Sequence, residues 1–154
     1  MKDFKLKTFA DLSTENLYQI LKLRNQVFVL EQACPYQDSD DLDQDALHLY
    51  KKNDTQQIIA YARILSPSQL MNTSNTSYCS IGRVVVEKNH RQQHLGYKLM
   101  KTAIQTCLSN FPDHDLKISA QSYLSQFYKN LGFTNTGAYY LEDSIPHQEM
   151  IYQH

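Results

Sequence analysis

The first part of the chain combines one helical hydrophobic pattern with two extended ones. Apolar residues return on one face of the segment 13–29, and Ser13 can cap its first turn, so this pattern predicts a helix. Apolar stretches over 47–52 and 57–65 predict two strands. The turn residues Asn53-Asp54 lie between them, which favours a hairpin.

The middle of the chain changes from a polar segment to a strand and then to a helix. Residues 66–77 are rich in Ser, Asn and Thr, which indicates a mobile loop. The stretch 78–86 ends in Val84-Val85-Val86, which is apolar on both faces and favours a strand buried at the sheet centre. Apolar residues then recur at helical spacing over 95–111, and Pro112 ends that helix.

The last part predicts a strand, a short helix and two closing strands. Ser122 can cap a helix over 123–131, Gly132 can end it with a left-handed residue, and Phe133 can make the accompanying apolar contact. The remaining predicted strands are 4–7, 116–121, 138–141 and 147–152. The mixed order predicts an α/β fold, with a single mixed, twisted β-sheet flanked by helices on both faces.

The composition narrows the class of protein. A chain of 154 residues suits one domain over 1–154, and 42% hydrophobic with 20% charged residues is typical of a soluble globular protein. A net charge of −1 gives no reason to expect a nucleic-acid or membrane partner. The start carries no apolar signal sequence, and no stretch approaches the roughly 20 apolar residues of a membrane span. We expect a cytoplasmic monomer or homodimer.

The three cysteines, Cys34, Cys79 and Cys107, are far apart and lack metal-ligand spacing. They predict free thiols in a reducing compartment and no metal site. Cys107 lies on the apolar stripe of its helix, so core packing is expected for it. Cys34, before Pro35, stays open as a nucleophile.

The segment 81–101 has the properties of an anion site. A helix that begins after a buried strand offers unpaired backbone N–H groups to a phosphate. The side chains near the turn include Lys88, His90, Arg91, His94, Lys98 and Lys101, and no Asp or Glu occurs over 88–111. This asymmetry points to a polyphosphate ligand. The alternative is an ordinary strand–helix unit with a solvated basic face, which composition alone favours.

Three groups of residues resemble a known family. Val84-x-Val86 followed by Arg91-Gln92-Gln93-His94-Leu95-Gly96 is similar to motif A of the GNAT acetyltransferases, with His94 where a glycine is usual. If that position needs a positive φ, His94 bears a strain that glycine would not. The segment from Gln121 through Phe127-Tyr128 to Gly132-Phe133 resembles motif B.

The third group is more specific, because it resembles the ElaA branch of that family over nearly the whole chain. It comprises the segment from Leu23 to Asp38, Ala60-Tyr61-Ala62-Arg63-Ile64-Leu65, Ile81-Gly82-Arg83-Val84 and Ile145-Pro146-His147. The resemblance implies the GNAT fold and direct transfer of an acyl group from acetyl-CoA to an amine.

The resemblance also implies the site. Acetyl-CoA, as co-substrate, is expected to contact Val84, Val85, Val86, Arg91, Gln92, Gln93, His94, Leu95, Gly96, Tyr97 and Gln121. The backbone N–H groups of 92–97 would hold the pyrophosphate, and an N–H near 84–86 would receive the thioester oxygen. Tyr128 is the expected general acid for the leaving thiolate.

The base that deprotonates the amine stays open. Glu31, His48 and His147 have suitable chemistry, although each is more often structural than catalytic in such positions. Two non-enzymatic or divergent alternatives also stay open: an acyl-CoA-binding sensor module, and an acyl-homoserine-lactone synthase-like enzyme. A short chain without Trp argues against the latter.

Arg24, Arg63 and Arg83 lie in otherwise apolar segments and would need acidic partners if buried. Glu31 or the acidic loop 38–45, with five aspartates in eight residues, could supply them. That loop could instead attract a cationic amine, but a solvated structural loop is favoured.

Overall fold

Seven strands form one sheet in the computed structural model, which describes residues 3–70 and 78–152. They are β1 (Lys5–Thr8), β2 (Leu47–Lys52), β3 (Ile58–Leu65), β4 (Tyr78–Val86), β5 (Asp115–Gln121), β6 (Phe133–Glu142) and β7 (Ile145–Tyr152). Their spatial order is β1-β2-β3-β4-β5-β7-β6. All neighbours are antiparallel except β4 and β5, so the predicted mixed sheet is confirmed.

Helices cover both faces of this sheet, as predicted. They are α1 (Thr14–Arg24), α2 (Pro67–Leu70), α3 (Leu95–Asn110) and α4 (Ser125–Asn130). On one face, Ile20 and Leu23 of α1 pack in a cluster with Tyr61. On the other face, Leu99 and Ala103 of α3 pack in the larger core. The sheet is therefore the middle layer of three.

The first helix ends differently from its prediction. Ser13 caps α1 by accepting a hydrogen bond from the Asn16 N–H, but after Arg24 the chain continues as a π-helical segment, Asn25–Glu31. The hydrogen bond from the Gln32 N–H to the Val27 carbonyl spans five residues. Hydrophobic residues at a spacing near 3.6 do not report this wider turn, so the sequence predicted one continuous helix.

Two further local predictions are corrected. Within the predicted loop 66–77, Pro67–Leu70 form α2, while 71–77 lie outside the described residues. Ser122 does not cap a helix, because Ser122–Leu124 form a 3₁₀ turn and α4 begins only at Ser125.

The end of α4 and the start of β6 follow the predicted chemistry but not the predicted length. Gly132 has φ 102°, the left-handed terminator expected, and Phe133 packs edge-on against Tyr128. However, β6 begins at Phe133 rather than at residue 138. A bulge between Asn135 and Tyr139 interrupts its pairing with β7, so the sequence there lacks the alternation of apolar and polar residues that predicts a strand.

The sheet divides between β4 and β5. Their parallel pairing joins Tyr78–Ser80 to Asp115–Lys117 and extends no further, although both strands continue. β4 also bulges at Arg83, which has φ 50° where the register against β3 shifts. The predicted central strand is confirmed, yet only Val85 of the three valines is buried. Val84 and Val86 face the opening between the diverging strands.

Candidate active site

The diverging ends of β4 and β5 form one side of a cleft of about 990 Å³. Its other walls come from the turn before α3, from the 3₁₀ turn and α4, and from the π-helical segment with the loop that follows it. The β6–β7 hairpin adds the last wall through Glu142, Asp143, Ile145 and His147. Residues from strands, helices and loops thus line one cavity.

The turn before α3 is one wall of this cleft. Gln92 and His94 have φ 65° and 55°, so His94 occupies the left-handed conformation that glycine would adopt without strain. No side chain caps α3, and its first residues Leu95, Gly96 and Tyr97 all line the cleft. The N–H groups of a first helical turn have no intrahelical partners, and with the helix dipole they favour an anion.

Arg91 is held at the edge of this turn by two hydrogen bonds. Its Nε donates to the Val86 carbonyl over 2.9 Å, and its Nη2 donates to Glu31 Oε2 over 2.8 Å. The guanidinium therefore lies at the lining of the cleft, where Glu31 offsets part of its charge. The sequence identified both residues and did not predict that they pair.

The cleft brings together nearly all of the predicted site residues. Those that line it are Val84, Val85, Val86, Arg91, Gln92, His94, Leu95, Gly96, Tyr97, Gln121 and Tyr128. Gln93 is exposed and lies outside the lining. Contact of these residues with an acyl-CoA stays a prediction.

Tyr128 reaches the cleft from α4 and is only 8% exposed. Phe127 and Phe133 pack against its ring in edge-on contacts, at centroid distances of 5.1 and 6.0 Å. Burial, with a smaller contribution from Tyr123, raises the pKa of Tyr128 to about 12. The hydroxyl therefore carries its proton near neutral pH and can donate it to a developing anion.

The loop after the π-helical segment crosses towards the other half of the sheet. Gln32 and Gln121 exchange two amide hydrogen bonds of 3.3 Å, and the Cys34 thiol lies 3.7 Å from the Asp143 carbonyl oxygen. Gln32, Cys34 and Tyr36 line the cleft but were not predicted as binding residues, apart from the open role of Cys34. All three lie in the segment 23–38, and its resemblance to the ElaA branch could have indicated them.

Three arginines and three aspartates form a network beside this loop. Arg24 is wholly buried and lies 2.7 Å from both Asp38 and Asp43. Arg63 binds Asp40 through two hydrogen bonds of 2.6 and 2.8 Å and lies 3.0 Å from Asp43. The loop therefore supplies the partners that buried arginines need.

Arg83 joins this network to the cleft, which it lines. It lies 2.9 Å from Asp38 and 3.3 Å from Asp40, with its guanidinium over the ring of Tyr36. Since Asp38, Asp40 and Asp43 are all neutralised by arginines, the structural role of the loop is favoured over attraction of a cationic substrate.

The three candidate bases occupy different surroundings. His48 is buried outside the cleft between the Tyr61 hydroxyl and the Asp43 carbonyl, and burial lowers its pKa. Glu31 lines the cleft but is paired with Arg91. His147 lines the cleft next to Glu142, at 3.3 Å. Glu31 and His147 therefore share the cleft with the other predicted site residues, whereas His48 does not.

Other classes of site are absent from the part of the chain that the structure describes. No group of three or more His, Cys, Asp or Glu side chains there could hold a metal ion. Cys34, Cys79 and Cys107 are all free thiols. None of the described helices has the length and apolar character needed to cross a membrane.

The mixed seven-stranded sheet flanked by helices is the fold of the acyl-CoA N-acyltransferases. The Acetyltransferase (GNAT) domain family matches residues 8–154, and the chain belongs to this family.

Several relatives cover almost the whole chain. Protein ElaA of Escherichia coli is 40% identical over 141 residues, which cover 90% of this chain and 88% of ElaA. The UPF0039 protein sll0451 of Synechocystis is 41% identical over 147 residues, or 94% of this chain and 91% of that protein.

Solved structures agree with these matches. The crystal structure of an acyl-CoA N-acyltransferase from Pseudomonas aeruginosa has a TM-score of 0.89 at 40% identity, covering 98% of this chain and 99% of that one. The crystal structure of E. coli ElaA has a TM-score of 0.87 at 36% identity, covering 99% of this chain and 100% of ElaA. The structure of the CoA-dependent acyl-homoserine lactone synthase BjaI has a TM-score of 0.77 at 16% identity, covering 97% of this chain and 83% of BjaI. At this identity the similarity shows the fold alone.

Proposed function

We propose that the protein transfers an acetyl group from acetyl-CoA directly to a primary amine of a small molecule or peptide. The observation that carries the proposal is the meeting, in one cleft, of the uncapped α3 N-terminus with the freed edge of β4. Transfer from an acyl-CoA needs N–H groups that bind its phosphates and a hydrogen-bond donor at its thioester oxygen.

The proposed donor site uses backbone groups for most of its contacts. The N–H groups of 92–97 would bind the pyrophosphate, with Arg91 adding positive charge. The pantetheine arm would follow β4 at Val84, Val85 and Val86 towards Gln121, across the opening where β4 lacks a neighbouring strand.

The proposed chemistry assigns each charge to a group that lines the cleft. The neutral amine nitrogen attacks the thioester carbon, and the carbonyl oxygen becomes negative near a β4 backbone N–H at 84–86. The C–S bond then breaks, and Tyr128 gives its proton to the sulfur, which leaves as the CoA thiol. The acylated nitrogen loses its surplus proton, which returns the Tyr128 phenolate to its protonated form. The raised pKa of Tyr128 supports this role because the proton is present when the thiolate forms.

Two measurements test the proposal. Calorimetry should detect binding of acetyl-CoA, and a thiol assay with a panel of primary amines should detect release of CoA. Binding without release for any amine would support a non-catalytic acyl-CoA-binding module instead. Faster transfer from an acylated carrier protein than from acetyl-CoA would support the synthase-like alternative.

The three free thiols support the proposed cytoplasmic location.

A further inference from the structure

Four polar side chains form a cluster on the hairpin side of the cleft. His147 Nε2 lies 3.3 Å from Glu142 Oε2, and Ser119 Oγ lies 3.4 Å from the same carboxylate oxygen. The Tyr140 hydroxyl donates to Ser119 Oγ over 2.6 Å, and its ring stacks on the imidazole at a centroid distance of 6.2 Å. His147, Glu142 and Ser119 all line the cleft.

The imidazole of His147 has its two nitrogens in different roles. Nδ1 lies 2.7 Å from the Ile145 carbonyl oxygen, which can only accept, so Nδ1 carries a hydrogen. In the neutral ring, Nε2 is therefore the nitrogen with the lone pair, which can accept a proton. It is directed to Glu142, while the rest of the side chain is almost wholly buried. The ring is thus fixed with Nε2 beside a carboxylate.

The charged residues that line the cleft are not evenly distributed, because the arginines lie away from the β6–β7 hairpin. Arg83 and Arg91, the arginines of the lining, are both held in ion pairs with acidic side chains. Within the described ranges, Glu142 and Asp143 have no ion pair with a lysine or arginine. The hairpin end of the cleft is therefore electronegative, which suits a cationic ligand.

We propose that Glu142 and His147 form the acceptor end of the active site and select a protonated primary amine. This inference rests on the proposed acetyl transfer. Glu142 binds the incoming ammonium group, and His147 Nε2 takes one of its protons. The N–H bond of the ammonium breaks, an Nε2–H bond forms, and the electron pair stays on the amine nitrogen for attack on the thioester. The Glu142 carboxylate then stabilises the imidazolium.

The surrounding groups fix the geometry of this step. Tyr140 and Ser119 are positioning residues, since one stacks on the imidazole and the other contacts the carboxylate. The other charged or titratable groups that share the cleft are Glu31, Cys34, Tyr36, Arg83, Arg91, His94, Tyr97, Tyr123, Tyr128 and Asp143. Among these, Asp143 adds negative charge next to Glu142.

The test compares His147→Gln and Glu142→Gln with the matched controls His114→Gln and Glu149→Gln, which alter residues outside the cleft. The probes are benzylamine, cadaverine and L-lysine, which are cationic at pH 7, and benzohydrazide, which is neutral. Release of CoA is followed from pH 5.5 to 9, and thermal melting confirms that each variant is folded.

For His147→Gln we expect kcat/KM with the cationic amines to fall about 100-fold or more, as for loss of a general base, with little change for benzohydrazide. The rise of kcat/KM with pH due to the imidazole should disappear. Glu142→Gln should raise KM for the cationic amines only.

Wild-type rates and pH dependence in His147→Gln would overturn this inference, and so would equal losses on charged and neutral probes, which would indicate a structural role. If the wild-type protein releases CoA with none of these amines, the proposed acetyl transfer fails, and this inference fails with it.

Discussion

Arg91 and Glu31 form an ion pair of 2.8 Å between the turn before α3 and the π-helical segment. The pair joins two walls of the cleft at the point where phosphates are proposed to bind. A carboxylate so placed repels phosphates and also holds the arginine in position. Reversal of the arginine charge should therefore weaken phosphate binding, whereas removal of the carboxylate charge should not.

We expect Arg91→Glu to weaken acetyl-CoA binding by about tenfold or more, the scale of one charge-assisted hydrogen bond. Glu31→Gln should leave binding unchanged or strengthen it, since the carboxylate charge is lost while the side chain keeps its size. Calorimetry measures both. Lys7→Glu, on β1 and outside the cleft, is the control for charge reversal. Unchanged affinity in Arg91→Glu would refute contact with the phosphates.

We expect Tyr128→Phe to lower kcat by about 10²-fold or more, as for loss of a general acid, with acetyl-CoA affinity preserved. The phenyl ring keeps the packing against Phe127 and Phe133, so the melting temperature should change little. Steady-state kinetics and calorimetry separate the two effects. Tyr139→Phe, on the exposed part of β6, is the control. Undiminished turnover in Tyr128→Phe would eliminate the proposed acid.

Arg24→Leu should lower the free energy of unfolding by about 1–3 kcal/mol, because it removes the charge-assisted hydrogen bonds to Asp38 and Asp43, which keep only Arg83 and Arg63 as partners. Lys22→Leu changes an exposed residue of the same helix and should have an effect within about 0.5 kcal/mol. Urea unfolding measures both. Similar stability in the two variants would contradict a role for this network in holding the acidic loop.

Acid should destabilise the protein through the same network. Burial alone would raise the pKa of Asp40, but the hydrogen bond and charge of Arg63 outweigh it and lower this pKa to about 2. The pKa of Asp43 is also lowered by its arginines. Because the folded state binds fewer protons than the unfolded one, stability is present above the unfolded pKa near about 4 and is lost as pH falls towards 2.

Melting temperatures from pH 6 to pH 2 test this sign. Asp40→Asn should flatten the decline between about pH 4 and 2, whereas Asp41→Asn, on an exposed residue, should leave it unchanged. An equal decline in wild type and Asp40→Asn would contradict the lowered pKa.

The left-handed conformation of His94 gives a prediction about the turn itself. His94→Val should cost about 1–2 kcal/mol of unfolding free energy, since a β-branched side chain is strained at φ 55°. His94→Gly should be neutral or stabilising, because glycine adopts this conformation freely. Chemical denaturation of the two variants decides the sign.

The sequence was sufficient for features that depend on local pattern. The periodicity of α3, the hairpin at Asn53-Asp54 and the terminator at Gly132 all depend on nearby residues, and each is present in the structure. The need of Arg24 for an acidic partner was also predictable, because an arginine on an apolar helical stripe cannot be buried alone.

Features that depend on contacts between distant segments were not predictable. The positive φ of Arg83 arises where β4 and β3 shift register. The neighbouring Gly82 is a local sign of a bulge, but it does not indicate which residue takes the positive φ. Likewise, the pairing of Gln32 with Gln121 joins residues 89 positions apart. The sequence also did not show that Glu31 and His147 lie in the cleft while His48 lies outside it.

The parting of β4 from β5 after only three residue pairs has an evolutionary consequence. On one side of the gap the proposed contacts are main-chain amides, which substitutions leave chemically unchanged. On the other side they are side chains of a loop and of the β6–β7 hairpin, which a substitution changes directly. The donor can thus be inherited unaltered while acceptor preference diverges, so relatives of this chain need not share a substrate.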